Sequence, residues 1–321
     1  MARFRPRFAR PLVLLLAAVL VLALWSFHSA SAASAAKPAP TVAAASPGLV
    51  SDSSPTDPVL IGAGDICEQK HVSSAAATAR LIEARPFADV FTLGDNSNQK
   101  GTADQYATCY AKTWGQFLTR THATVGNHDC ETANCDPYYA YFGAAAGPAH
   151  RGYYSYGLPN EWHVIVLNSQ RDQLEGGFGS AQERWLRADL AANSGKHVIA
   201  MWHEPAFQAA PEDQRLLLPF WHDLYMAHAD LVLNGHHHYY ERFAPASPSG
   251  RADPSGIRAF IVGTGGSPSH SLGERLPTSE VAATDVFGVL VLTLHRHSYD
   301  WEFVPIAGQS FTDSGTAATH T

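Results

Sequence analysis

The stretch Leu231-Val232-Leu233-Asn234-Gly235-His236-His237-His238-Tyr239-Tyr240-Glu241-Arg242 places three histidines directly after a short apolar run. Leu231-Val232-Leu233 has the length and composition of a buried strand, and Asn-Gly marks its end. If the two-residue period of the strand persists past Gly235, His236 and His238 face one way and His237 faces away. Two imidazoles on one side of a strand end form half of a metal site, because neutral imidazole is the commonest side-chain metal ligand.

The same arrangement recurs upstream. Val59-Leu60-Ile61 runs into Asp65, Val90-Phe91-Thr92-Leu93 into Asp95, and Ala123-Thr124-Val125 into Asn127. Val198-Ile199-Ala200-Met201 runs into His203. Val164 to Leu167 is a further apolar run, and helical patterns separate the runs at Ser73–Arg85, Ala103–Thr119, Ser180–Asn193 and Pro211–His228. That alternation predicts an α/β fold. Later strands are expected at Arg258–Thr264 and in a hairpin of Val286–His295 with Tyr299–Ile306. In open α/β sheets, sites form beyond the carboxyl ends of the strands, so five strands would deliver these side chains to one edge.

Asp65, Asp95, Asn127, His203, His236 and His238 together supply what a two-metal hydrolytic site requires. Such a site needs a bridging carboxylate, further oxygen and nitrogen donors, and open positions for water and substrate. Asp95 is the expected bridge, with Asp65 and His238 on one ion and Asn127, His203 and His236 on the other. Two divalent cations outweigh two carboxylates and a hydroxide, which favours a phosphate dianion.

These motifs read Gly64-Asp65, Gly94-Asp95-Asn96-Ser97-Asn98, Gly126-Asn127-His128-Asp129, His203 and Gly235-His236-His237-His238-Tyr239-Tyr240-Glu241-Arg242. In that order the chain resembles the calcineurin-like metallophosphoesterases, and within them the purple acid phosphatase branch, from about Val59 to Ile306. The resemblance implies a four-layer α/β/β/α sandwich: two mixed sheets face to face, helices outside, and a dinuclear metal site at the sheet edges. It also implies that His128 stands beside the metals instead of binding them. The expected reaction is phosphate-ester hydrolysis, most simply of a monoester. A hydroxide held by the metals attacks phosphorus in line while His128 assists the leaving group. A phosphodiesterase or nucleotidase on the same scaffold is the alternative, and a non-catalytic phosphate-binding surface protein a remote one. The chain departs from the purple branch at Asn98, where a tyrosine ligand is expected. An amide gives no phenolate-to-iron colour, so no purple absorbance is predicted. Mixed oxygen and nitrogen donors leave iron, manganese and zinc open.

Other side chains have narrower readings. Asn98, Glu204 and His237 are expected behind or beside the metal ligands. Glu241 and Arg242 are expected to hold the strand end together, and His295 and His297 to lie on the surface. Tyr138, Tyr139, Tyr141 and Phe142 form an aromatic cluster that belongs in the core. Gly265 to Thr284, rich in Gly, Ser and Pro, is a long loop suited to rimming the cleft.

Composition fits an exported enzyme. The chain has 321 residues, 45% of them apolar, with only 16% charged but 17 histidines. Arg3, Arg5, Arg7 and Arg10 precede the uncharged run Leu12 to Phe27 and a small-residue stretch, so residues 1–36 read as a secretory signal peptide. An uncleaved membrane anchor is the alternative, and no other segment is apolar enough to span a bilayer. Losing those four arginines takes the net charge from −7 to about −11. So acidic a chain is a poor partner for nucleic-acid backbones, whereas a phosphate ester answers to the local charge of the metals. Residues 37–58 read as a flexible Ala/Ser/Pro/Thr linker, 59–310 as the metallophosphoesterase domain and 311–321 as a C-terminal tail. An extracytoplasmic location lets the four cysteines oxidise. Of three pairings, Cys130–Cys135 closes a short loop and leaves Cys67 with Cys109; buried thiols are the other reading.

Overall fold

The computed structural model describes residues 57–170, 177–208 and 216–320. The expected signal peptide, nearly all of the expected linker and the start of the helix expected at Pro211 lie outside them.

The chain opens with β1 (Val59–Ala63), α1 (Val72–Glu83), β2 (Asp89–Thr92), α2 (Ala103–Thr108), β3 (Thr121–His122) and α3 (Asp136–Phe142). It continues with β4 (Tyr154–Leu158), β5 (Trp162–Val166), α4 (Ala181–Ala192), β6 (His197–Met201), α5 (Leu218–Met226) and β7 (Leu231–Asn234). Six strands finish it: β8 (Tyr240–Phe243), β9 (Arg258–Val262), β10 (Ser279–Ala283), β11 (Gly288–Leu294), β12 (Ser298–Pro305) and β13 (Asp313–Ala318). They form two mixed sheets, one ordered β13-β12-β11-β1-β2-β3 and the other β10-β8-β9-β7-β6-β5-β4.

The two-residue period of the strands sorts their side chains between two cores. Val164 and Val166, Ile199 and Met201, and Leu231 and Leu233 join one buried cluster with Leu60, Ile61, Val90 and Phe91 of the other sheet and Ala75, Ala79 and Ile82 of α1. Ile165, Val198, Ala200 and Val232 point the other way, onto Leu186 and Leu190 of α4 and Phe220, Trp221 and Leu224 of α5. Strands buried on both faces read as continuous apolar runs, as these do. Helix α4 starts where Ser180 Oγ accepts the Glu183 N–H, the capping interaction that fixes a helix N-terminus.

Several expected elements differ from the sequence reading. The helix expected over 103–119 stops at Thr108 and gives way to 3-10 turns at Tyr110–Lys112 and Trp114–Arg120. There Cys109 is tied to Cys67 and the Thr113 hydroxyl bonds back to the Cys109 carbonyl. The strand expected at 123–125 is displaced to Thr121–His122. Beyond it the Thr124 N–H donates to Thr92 Oγ1, and the Ala123 carbonyl accepts from Tyr138 and Tyr154 hydroxyls. The expected C-terminal tail contains an edge strand, since β13 pairs with β12 from Ser298↔Ala318 to Phe303↔Asp313. Its Asp313 carboxylate accepts from Arg242 Nε and from the Tyr240 hydroxyl, both at 2.7 Å, so a charged pair links the two sheets. Thus Arg242 does hold its strand end.

His295 corrects its surface reading. It is buried, with Asp57 Oδ2 at 2.6 Å from Nδ1 and Asp300 Oδ2 at 3.0 Å from Nε2, while His297 is exposed. Asp300 comes from the neighbouring strand β12, where it stands opposite Thr293, and Asp57 from inside the expected linker. The aromatic cluster packs around Tyr106 and Tyr110 as core. Both disulfides, Cys67–Cys109 and Cys130–Cys135, are formed.

Candidate metal centre

Each of the six candidate ligands follows a strand that runs parallel to its neighbour. β1, β2 and β3 are parallel in one sheet, and β6 and β7 in the other, so their carboxyl ends share one edge. Getting the side chains to turn inward there takes unusual backbone. Asp65, Asp95 and His236 all adopt left-handed conformations, with φ of 58°, 49° and 69°. Such strain in non-glycine residues concentrates at functional sites. Space is equally tight. A Cβ on Gly126 would collide with the backbone nitrogen and carboxylate of Asp95, and one on Gly94 with the His203 ring.

The donors converge. Asn127 Oδ1 lies 3.0 Å from His203 Nε2 and 3.1 Å from His236 Nδ1. His203 Nε2 is 3.2 Å from Asp95 Oδ2, and His238 Nε2 is 3.2 Å from Asp65 Oδ1. Ligand atoms of Asp65, Asp95 and His203 all fall within 4.8 Å of one another. Two of the rings are held in the tautomer a metal requires. His203 Nδ1–H donates to the Leu93 carbonyl and His238 Nδ1–H to the Pro268 carbonyl, each at 2.7 Å, which leaves Nε2 of both facing the carboxylates.

The electrostatics call for cations. Asp65 and Asp95 are both buried, and each carboxylate faces a histidine Nε2 at 3.2 Å. Burial works against an imidazolium at His203, yet the adjacent Asp95 carboxylate outweighs it and lifts the His203 pKa to about 10. His238 is raised in the same way: burial opposes it and Asp65 prevails. Asp95 is held well below the usual carboxylate range: burial pushes it up, but His203 and His128 overcome this. Buried acids that keep protons on neighbouring histidines will exchange those protons for metal ions. The donor set therefore fits a pair of cations, with Asp95 between the two groups of ligands.

The residues expected around the ligands are also placed. The His128 backbone N–H donates to Asp95 Oδ1 at 2.9 Å, and its half-exposed ring has Nε2 4.0 Å from Asp95 Oδ2. Asn98 is buried, and its amide donates to the Ser267 hydroxyl while its backbone N–H donates to the Cys67 carbonyl. Glu204 is buried beside Ser169, whose hydroxyl accepts the Glu204 N–H. His237 turns to Gln208 and stacks on Tyr239. Strand geometry is not what separates His237 from its neighbours. Residues 235–239 form consecutive tight turns, with the His237 N–H donating to Gly235 and the Tyr239 N–H to His237. Glu241 is buried against the Ser279 hydroxyl.

Sequence reasoning missed two participants. Asp129 is fully buried and accepts from the N–H groups of Asn96, Ser97 and Gly126, the Asn96 amide and the Tyr106 hydroxyl. It thereby bolts the loop of Asp95 to the loop of Asn127. Its only signal was a place within Gly-Asn-His-Asp. His270, a lone histidine in the Gly/Ser/Pro-rich loop, stacks on His238 with ring centroids 3.7 Å apart.

A two-sheet sandwich with Asp, Asn and His donors at the sheet edges defines a metallophosphoesterase. Residues 59–240 match the family model for calcineurin-like phosphoesterases, and the chain belongs to that family. It is similar to purple acid phosphatase 21 of Arabidopsis thaliana, 29% identical over 215 residues, which are 59% of this chain and 46% of that protein. The chain thus spans about half the length of the curated relatives it matches. In fold it is similar to the purple acid phosphatase PPD1 from yellow lupin (Lupinus luteus) seeds, with a TM-score of 0.64 and 17% identity over 81% of this chain and 53% of that one. It is also similar in fold to GAP50, the anchor in the inner membrane complex of Plasmodium, with a TM-score of 0.62 and 13% identity over 83% and 90%.

Proposed function

We propose that this protein is an exported phosphomonoesterase that works with two metal ions. The observation that carries the reading is the meeting of Asp65, Asp95, Asn127, His203, His236 and His238 at one edge of the sandwich, with two histidine tautomers fixed for ligation. The similarity to purple acid phosphatases supports the ester class, and the converging donor set speaks against a purely structural role such as that of an anchor.

Asp65 and His238 would hold one ion, Asn127, His203 and His236 the other, and Asp95 both. When bound, the pair supplies a hydroxide nucleophile near neutral pH and neutralises the phosphate oxygens. The chain's own groups do the rest. His128 Nδ1–H donates to the Gln99 carbonyl at 3.2 Å, so the second proton of its imidazolium sits on Nε2, toward the centre. From there it can hydrogen-bond or protonate a departing alkoxide, while its backbone N–H keeps Asp95 in register. With an amide at position 98 engaged by Ser267, an iron-loaded protein would lack the phenolate colour of the purple enzymes.

Export is supported by the N-terminal basic and apolar pattern and by two disulfides, and among the described residues no helix is long and apolar enough to cross a membrane. The function is tested by metal analysis of the purified protein, followed by assays of metal-free and reloaded protein. The substrates are p-nitrophenyl phosphate, bis(p-nitrophenyl) phosphate and a nucleoside monophosphate. Two metals per chain and metal-dependent cleavage, fastest on the monoester, are expected. Faster diester cleavage would move the assignment to a phosphodiesterase, and no cleavage with both metals bound would overturn it.

A further inference from the structure

The loop that follows β9 is fastened to the metal centre at every turn of its first half. The Gly265 N–H donates to the Gly64 carbonyl, and the Ser267 N–H to the Asp65 carbonyl. Ser267 accepts the Asn98 amide, and Pro268 accepts His238 Nδ1–H. The next residue but one is His270. Its backbone N–H donates to the His238 carbonyl at 3.2 Å, and its ring lies over the His238 ring, tilted by only 14°. The His238 backbone N–H points at His270 Nδ1 at 3.4 Å, so the proton of the neutral ring belongs on Nε2. One edge of the ring is thus committed to the protein, and the residue as a whole is exposed.

We infer that His270 is a substrate-binding residue, whose Nε2–H donates to an oxygen of the phosphate ester on the Asp65/His238 side of the centre. His128 lies beside Asp95, whereas His270 lies beside His238, so the two imidazoles stand against different ligand residues of the centre. A ring with no role beyond packing has no need of a fixed tautomer or of two hydrogen bonds with the backbone of a candidate ligand residue. The inference rests on the reading above, that this centre handles phosphate esters, and adds a residue that grips the phosphate.

His270→Phe keeps a flat ring over His238 and removes the donor; His270→Ala removes both. The test compares wild type and both variants for metal content, for thermal midpoint, for calorimetric binding of inorganic phosphate to the metal-loaded protein, and for kcat and KM on p-nitrophenyl phosphate. A hydrogen bond to a charged oxygen contributes enough that its loss weakens binding about tenfold or more. His270→Phe should therefore retain both metals and the wild-type midpoint, bind inorganic phosphate about tenfold more weakly, and show the loss mainly in KM. Unchanged phosphate binding in His270→Phe would overturn the inference, and so would loss of metal in that variant, which would make the ring a positioning residue for His238. Should the metal-loaded wild type cleave no ester, the hydrolase reading fails, yet the phosphate-binding comparison still decides the role of His270.

Discussion

At the scale of single residues, Asp95 and His128 are expected to divide binding from turnover. Asp95 touches His203 and, through the backbone, His128, and its carboxylate lies in the middle of the donor set. His128 touches that set only through its main chain, its ring being 4.0 Å from Asp95 Oδ2. Asp95→Ala is therefore expected to lose bound metal as well as activity. His128→Ala should keep both metals and lose about 100-fold or more in kcat, the usual worth of a general acid. Metal analysis beside steady-state kinetics checks the pair, and equal loss of metal in both variants would contradict it. The six candidate ligands were legible because each follows a strand. Asp129 was not, because an acid in a turn carries no mark of the five donors that will surround it.

At the scale of elements, the loops after β2 and β3 act as one piece because Asp129 joins them. The Cys130–Cys135 bridge closes the loop that follows His128, and Cys67–Cys109 pins the segment after β1. Asp129→Ala would strand the N–H groups of Asn96, Ser97 and Gly126 together with the Tyr106 hydroxyl in a buried place. Each unsatisfied buried group costs about 1–3 kcal/mol, so a loss of about 3 kcal/mol or more in unfolding free energy is expected, with weakened metal retention. Denaturant titration of the metal-free variant measures the first part. A variant as stable as wild type would show that the two loops hold without their shared carboxylate. Helix and strand existence were readable from periodicity here, but boundaries were not. Helix α2 ends where Cys109 is bridged to Cys67, a partner remote in the sequence, and where the Thr113 hydroxyl donates to the Cys109 carbonyl.

At the scale of the whole molecule, the chain's first described residues are locked to the hairpin of β11 and β12. His295 lies between Asp57 and Asp300, on either side of the ring. Burial lowers the tendency of His295 to hold a proton, but hydrogen bonds to Asp300 and Asp57 prevail and raise its pKa. A raised histidine stabilises the fold fully below its unfolded pKa of about 6.5 and loses that contribution as pH climbs through the higher folded value. His295→Gln should thus lower the melting temperature most near pH 6, by about 2–4 °C for each kcal/mol lost, with the gap narrowing at alkaline pH. Melting curves across that range test it; a gap that widens with pH would show that the ring is buried neutral.

By itself the sequence determined the α/β class and singled out six side chains that follow strands, because strand period and local turn chemistry act over a few residues. Tertiary structure alone decided that Asp57 meets His295, that the C-terminal residues close a sheet edge, that Asp129 binds two loops together and that His270 lies over His238. Those outcomes depend on groups far apart in the chain, and no local pattern specifies a partner that only packing brings within hydrogen-bonding distance.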